Sequence, residues 1–266
     1  MKKGSKIAVW IATGCVITGV ALLTAGSLNG GAGQIVKAFD KGGQYRGANP
    51  VSGQEILHGD FERSFSAEGL RELELEAGCH VITMAEEDVD RILVEGKNCE
   101  GIQCYVQEDT LVLKGTGLQT VGVNVEEPTV RVTVPRGFSW EEAEVEADMG
   151  LVQIYRIQAA RMEVGANMGA VHVDSFSAVN LEIDADMGAV ELTGMVENNM
   201  KAESSKGSVT ITLLQDSDEF GYEVEASLGK VRVDGRQIGN GSTNPGGASK
   251  KLELTADMGS IDIFFQ

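Results

Sequence analysis

The chain has 266 residues, with 22 Lys plus Arg against 40 Asp plus Glu and a net charge of −18 at pH 7. That acid excess repels nucleic-acid phosphates and anionic lipid surfaces, so it excludes a nucleic-acid partner and a basic membrane-binding face. Hydrophobic residues make up 42%, and 34 Gly with only 5% aromatics predict many tight turns around an aliphatic core.

Residues 7–28, IAVWIATGCVITGVALLTAGSL, carry no charge. As a helix at ~1.5 Å per residue they reach about 33 Å, enough for a hydrocarbon core of about 30 Å. Lys2, Lys3 and Lys6 precede them, and no acid occurs before Asp40. Residues 1–6 therefore read as a cytoplasmic stub and 7–28 as a single-pass anchor, with the remainder extracellular at the cell membrane. The alternative is a cleaved signal peptide, whose apolar core of about 7–15 residues is shorter than this run. Small residues near Ala25 and Ala32 fit such cleavage. A lipoprotein reading at Cys15 lacks the aliphatic residue three positions earlier. Beyond the anchor remain 19 basic and 40 acidic side chains, a net of −21. That excess serves solubility, or attracts cations or a basic partner.

Residues 29–53 hold glycines at 30, 31, 33, 42, 43, 47 and 53 with little apolar periodicity, the pattern of a linker. Residues 54–143 form an N-terminal β region. LRELELEA (70–77), CHVITMA (79–85), DRILVEG (90–96), IQCYVQ (102–107), TLVLKG (110–115) and TVRVTVP (129–135) are short and rich in Val, Ile and Leu, with turn residues between them. In the last, Val130, Val132 and Val134 share one face and Pro135 ends the strand.

Residues 144–266 are a β-repeat region, continuous with 54–143 as one domain. EVEADMGLVQIYRIQAARM (144–162), EVGANMGAVHVDSFSAVNL (163–181) and EIDADMGAVELTGMVENNM (182–200) follow each other without a gap. Longer copies occupy 201–222 and 223–252, and a truncated copy occupies 253–266. A short repeat of this kind predicts a stack, here an all-β solenoid or β-roll-like domain with nineteen-residue repeats behind one N-terminal transmembrane helix.

In such a stack residue i lies over residue i+19, about 4.8 Å away. Met149, Met168 and Met187 are expected to form one internal column, with Leu228 and Met258 at later levels. Val171, Val190, Val209, Val231 and Ile261 form another. Three residues separate Met187 from Val190, an odd step, so Gly188 is expected at a corner that restores the inward phase. Gly150, Gly169, Gly207, Gly229 and Gly259 are its equivalents, and a φ above zero is the expected reason for glycine. Asp148, Asn167, Asp186 and Asp257 precede the Met positions. They are expected to make Asx-type turns. A column of calcium ligands is the alternative, but no calcium-loop motif is present and no metal or other cofactor is expected.

Two copies are lengthened after their second strand, near 215–221 and at 235–250. Both lengthenings are expected on one side of the stack, as tolerated loops or a contact surface. Cys79, Cys99 and Cys104 leave open one disulfide plus a free thiol, or three thiols. His58, His80 and His172 do not pair at ligand spacing, and His172 falls on an outward phase. No GxSxG, P-loop or HExxH occurs, so no catalytic residue is assigned. A sugar-cleaving site among outward residues such as Arg156 and Arg161 is the catalytic alternative.

TVRVTVPRGFSWEEAEVEADMG (129–150), ADMGAVEL (185–192) and SSKGSVTITL (204–213) together resemble the bacterial putative-adhesin family with β-strand repeats, over roughly 56–266. The resemblance implies a β-solenoid or β-roll-like domain, often tethered to a membrane, without catalytic residues to carry over. The long 235–250 segment departs from it. The expected function is an extracellular adhesin-like interaction module whose partner is a protein or glycan at the cell surface. The alternative is an envelope-stress or signalling accessory protein that binds a membrane partner.

Overall fold

Apolar residues that alternate along a strand bury one of its faces. The computed structural model describes residues 55–115, 128–243 and 248–266, and there the alternation becomes 18 strands. The first six are β1 (Leu57–Ser66), β2 (Glu72–Ala77), β3 (Val81–Glu87), β4 (Arg91–Gln107), β5 (Thr110–Gly115) and β6 (Thr129–Pro135). The next six are β7 (Trp140–Ala147), β8 (Leu151–Ile154), β9 (Ile157–Ala166), β10 (Ala170–Ala185), β11 (Ala189–Ser204) and β12 (Ser208–Leu213). Then follow β13 (Phe220–Ala226), β14 (Lys230–Val233), β15 (Arg236–Ile238), β16 (Gly241–Thr243), β17 (Lys250–Ala256) and β18 (Ser260–Phe265). A 3₁₀ turn at Ser217–Glu219 is the helical element among the described residues.

All the strands belong to one hydrogen-bonded sheet, wrapped around one apolar core in the manner of a flattened barrel. Two parallel ladders make up its flanks. The first runs β5, β2, β7, β9, the second halves of β10 and β11, β17 and β13. The second runs β6, β3, β8, the first halves of β10 and β11, β12, β18 and β14. The antiparallel strands β4 and β1 cover one end, and β15 and β16 the other. Covering the terminal level hides the ladder edges, as stacked repeats require. The Asn240 side chain completes one cover. Its amide accepts from the Ala226 N–H at 2.7 Å and donates to the Ala226 carbonyl at 3.1 Å, as a neighbouring strand would.

Val152, Val171, Val190, Val209, Ile261 and Val231 form one inward column, each at most 2% exposed. Each contributes roughly 1.5–3 kcal/mol by burial. The core methionines are Met84, Met162 and Met200. Met149, Met168 and Met187 are not internal, contrary to the column expected above. They lie half-buried on the outside of the corner, and Met258 and Leu228 are 45% and 81% exposed. The inward phase passes from Ala185 to Gly188 to Val190, so the odd step falls between 185 and 188.

The reason for glycine also differs. Left-handed glycines among the described residues are 59, 69, 101, 137, 235 and 241, none of them a repeat corner. A Cβ on Gly188 would sit 2.6 Å from the Gly169 oxygen and 2.8 Å from both the Cβ and the oxygen of Ala166. Gly150, Gly169, Gly207, Gly229 and Gly259 likewise meet the backbone oxygen of the adjoining level. Close approach of levels, not φ, demands the missing side chain. The corner is itself a ladder, because Met187 N–H donates to the Asn167 carbonyl at 2.8 Å and Ala189 N–H to the Gly169 carbonyl at 3.1 Å.

Stack order departs from chain order. β17 pairs with both β11 and β13, and β18 with both β12 and β14. The last copy therefore lies between the fourth and the fifth, and Gly207 is followed in the stack by Gly259 and then Gly229. One more copy lies in the N-terminal region. Gly78, Cys79 and His80 make the corner before Asp148–Gly150, with Met149 N–H donating to the Gly78 carbonyl at 2.9 Å. The N-terminal and repeat regions share the same core, since Leu73 and Leu254 belong to one cluster.

The expected stub at 1–6, anchor at 7–28 and linker at 29–53 lie outside the described residues. Among the described residues no helix is long and apolar enough to cross a membrane.

Candidate functional site

The two ladders present outer faces of opposite character. On the first, one row across the stack reads Glu74, Glu144, Glu163, Glu182, Lys201, Glu253, Glu223. The next row reads Lys114, Glu76, Glu146, Gly165, Asp184, Glu203, Thr255, Glu225. Stacking copies that each carry Glu or Asp at the outward positions makes these columns of like charge. On the second ladder the corresponding row is Arg131, Thr83, Gln153, His172, Glu191, Thr210, Asp262, Arg232. Its charges balance, and Arg232 is held on Asp262 at 3.0 Å.

Three lysines each straddle two carboxylates of the acidic face. Lys114 contacts Glu74 and lies 3.9 Å from Glu76. Lys201 meets Glu182 at 2.7 Å and Glu203 at 3.0 Å, and Lys251 meets Glu223 and Glu253 at 2.6 Å each. Between the first two lysines lies the stretch of Glu144, Glu146, Glu163 and Asp184. Gly165 lies at its centre, overlain by the Glu146 side chain, with Asp184 on the other adjoining strand.

Like charges on neighbouring strands raise the cost of ionisation. Burial, aided by Asp148 and Glu146 and opposed by Lys114, pushes the Glu76 carboxyl up to about 7. Burial raises Glu144 too, together with Glu74 and Glu163. Glu146 is raised by burial and Asp148, and Asp184 by burial and Asp186. The face thus carries a negative potential that its own lysines leave unbalanced at the centre.

The turn residues border this face. The Asn167 amide donates to Asp148 Oδ1 at 2.7 Å and to Glu146 Oε1 at 2.8 Å. Ser227 Oγ donates to Asp257 Oδ1 at 3.4 Å. These two side chains bond between levels. Asp186 is exposed on the same edge, beside the half-buried Met187. Among the described residues no group of three or more His, Cys, Asp or Glu side chains is placed to hold a metal ion.

Other candidate groups lie apart. His172 is half-buried on the outer face of the second ladder, with Nε2 2.7 Å from Asp174 and Nδ1 3.4 Å from Glu191. Arg161 pairs with Glu142 at 3.0 Å. His80 is fully buried, its Nε2 donating to the Glu100 carbonyl at 2.9 Å. Burial pushes its pKa down. Among the described residues Cys79, Cys99 and Cys104 form no disulfide with one another, in line with the reading as thiols. Burial pushes Cys99 up to about 11 and Cys104 up to about 12.

The fold and its acidic face define an all-β repeat protein with a charged sheet surface. The chain belongs to the Toastrack DUF4097 family, whose model matches residues 71–264. It is similar in structure to a putative cell adhesion protein from Clostridium sporogenes, with 15% identity and a TM-score of 0.49, covering 80% of this chain and 100% of that one. A putative adhesin from Bacteroides fragilis matches at 11% identity and a TM-score of 0.32, covering 78% of this chain and 97% of that one. A putative lipid binding protein from Parabacteroides distasonis matches at 11% identity and a TM-score of 0.31, covering 77% and 96%. No curated protein matches the chain.

Proposed function

We propose that this protein is a membrane-anchored extracellular interaction module, without catalysis, whose acidic ladder face binds a basic partner at the cell surface. The contrast between the two outer faces carries the reading. Carboxylates outnumber lysines across two rows of the first ladder, whereas the charges along the Arg131–Arg232 row of the second balance. A basic segment seated across Glu144, Glu163 and Asp184 would relieve their mutual repulsion and speed encounter. Residues 7–28 supply the anchor, and the three lysines before them place the acidic domain outside.

The test uses the full chain in nonionic detergent with fluorescent decalysine as probe. E144Q/E163Q/D184N should weaken binding tenfold or more at low salt. E95Q/D174N/E191Q removes as many charges elsewhere and should change it less than twofold. Equal losses would reduce the effect to net charge and sink the assignment of the face.

A further inference from the structure

The place of the last repeat copy in the stack has a consequence independent of the acidic face. Strands β13 and β14 carry the fifth copy, yet among the described residues neither pairs with β11 or β12. Their parallel partners are β17 and β18 alone. The fourth and fifth copies thus stand two levels apart, about 9.6 Å at the ~4.8 Å strand spacing. The unit Lys250–Phe265 fills the slot.

That unit is self-contained. It is one strand, one corner at Asp257–Gly259 and one strand, and Leu252, Leu254, Ala256, Ile261 and Ile263 are at most 1% exposed. β17 and β18 do not pair with each other. Each is held by ladders to the two walls of the slot, β17 by β11 and β13 and β18 by β12 and β14. The slot also carries its own mark. Where other levels place Ala147, Ala166 or Ala185, the wall of the slot places Ser204. It is 1% exposed, donates to the Gly207 carbonyl at 2.9 Å and packs directly against Gly259.

The geometry points to strand exchange between copies: the slot between β11–β12 and β13–β14 accepts the Lys250–Phe265 unit of a second copy of this chain, joining the two. Every strand ladder of the unit among the described residues runs to the slot walls, so an exchanged pair keeps these ladders, as domain swapping exchanges an identical element between copies. A strand taken into a sheet is recognised by main-chain bonds and alternate apolar side chains, and a second copy supplies both to each wall of the slot.

Thr212 on β12 and Phe264 on β18 are register partners on the outer face. Two full-chain variants, T212C and F264C, are mixed at high concentration, incubated warm and oxidised with diamide. The 212–264 disulfide is then quantified by mass spectrometry. Only entry of one chain's β18 into the other's slot brings these positions together. The control mixes S177C with M195C, also outer-face register partners, but on strands that are consecutive in the chain. T212C/F264C within one chain is the positive control. Exchange predicts at least tenfold more linked dimer from the first mixture than from the second. Equal amounts, with the one-chain variant linking fully, would overturn the proposal. Failure of the one-chain variant to link would overturn the register on which it stands. Neither result depends on the acidic-face carboxylates, so the two readings fail separately.

Discussion

Replacing Gly188 by Ala tests why the repeat keeps glycine at its corner. The added Cβ would meet the Gly169 oxygen at 2.6 Å and Ala166 at 2.8 Å, where ordinary contact begins near 3.4 Å. The levels must part by roughly 0.8 Å there, or the corner must twist. Overpacking costs about 1–3 kcal/mol. The obstructing atoms are backbone held in a ladder, since Ala189 N–H donates to that Gly169 oxygen at 3.1 Å. The cost should therefore approach the upper end, about 3 kcal/mol. For a domain of this size each kcal/mol moves Tm by roughly 2–4 °C, so a fall of about 6–12 °C is expected in thermal unfolding followed by circular dichroism. Two controls separate causes. Gly137 has φ +74° and open space at its Cβ, so G137A should cost about 1–2 kcal/mol through φ alone. Gly239 has open space and no left-handed φ, so G239A should be neutral or slightly stabilising. If G188A costs no more than G137A, the close-approach argument is wrong.

The Glu76 carboxyl has a folded pKa near 7, above its ordinary value of 4.5. The unfolded carboxyl ionises first, so its effect on stability is absent below pH 4.5 and stability falls as pH rises towards 7. E76Q should raise stability at pH 8 by about 1–3 kcal/mol and flatten that slope; an unchanged slope in urea titrations between pH 5 and 7 would rule the group out. His80 works in the opposite direction. Its folded pKa is pushed below 6.5, so stability is complete above pH 6.5 and lost as pH falls. H80Q, whose amide can still donate towards the Glu100 carbonyl, should flatten the acid limb, and an unaltered limb counts against the burial argument. Cys99 and Cys104 should resist iodoacetamide at pH 8 in the native chain and react once it is unfolded. Rapid native alkylation of Cys99 would contradict its burial.

Much of the acidic face could have been read from the repeat itself. Glu144, Glu163 and Glu182 each open a copy, and stacking at nineteen residues aligns them. The part that escaped is the copy at Glu74–Met84. Its corner is Gly78–Cys79–His80, with glycine in the first position instead of the third, so the motif has no Asp-Met-Gly signature. The alternation ELEA followed by VIT was its surviving signal. The outward methionines escaped for a different reason. Hydrophobicity alone places Met187 inside, but the inner corner has room only for Gly188, so the longer side chain is turned out.

Local pattern determined the strands, their inward side chains and the parallel register, because side-chain phase follows from a period of two and equivalent residues stack when the repeat is constant. The Val column from 152 to 231 rests on nothing more. The order of the levels was decided only in the tertiary structure. β13–β14 and β17–β18 present nearly the same alternation, so either could lie against β11–β12 as far as local pattern goes. Long-range pairing chooses between them, and it seats β17–β18, the later unit in the chain, beside the fourth copy and moves the fifth to the end of the stack.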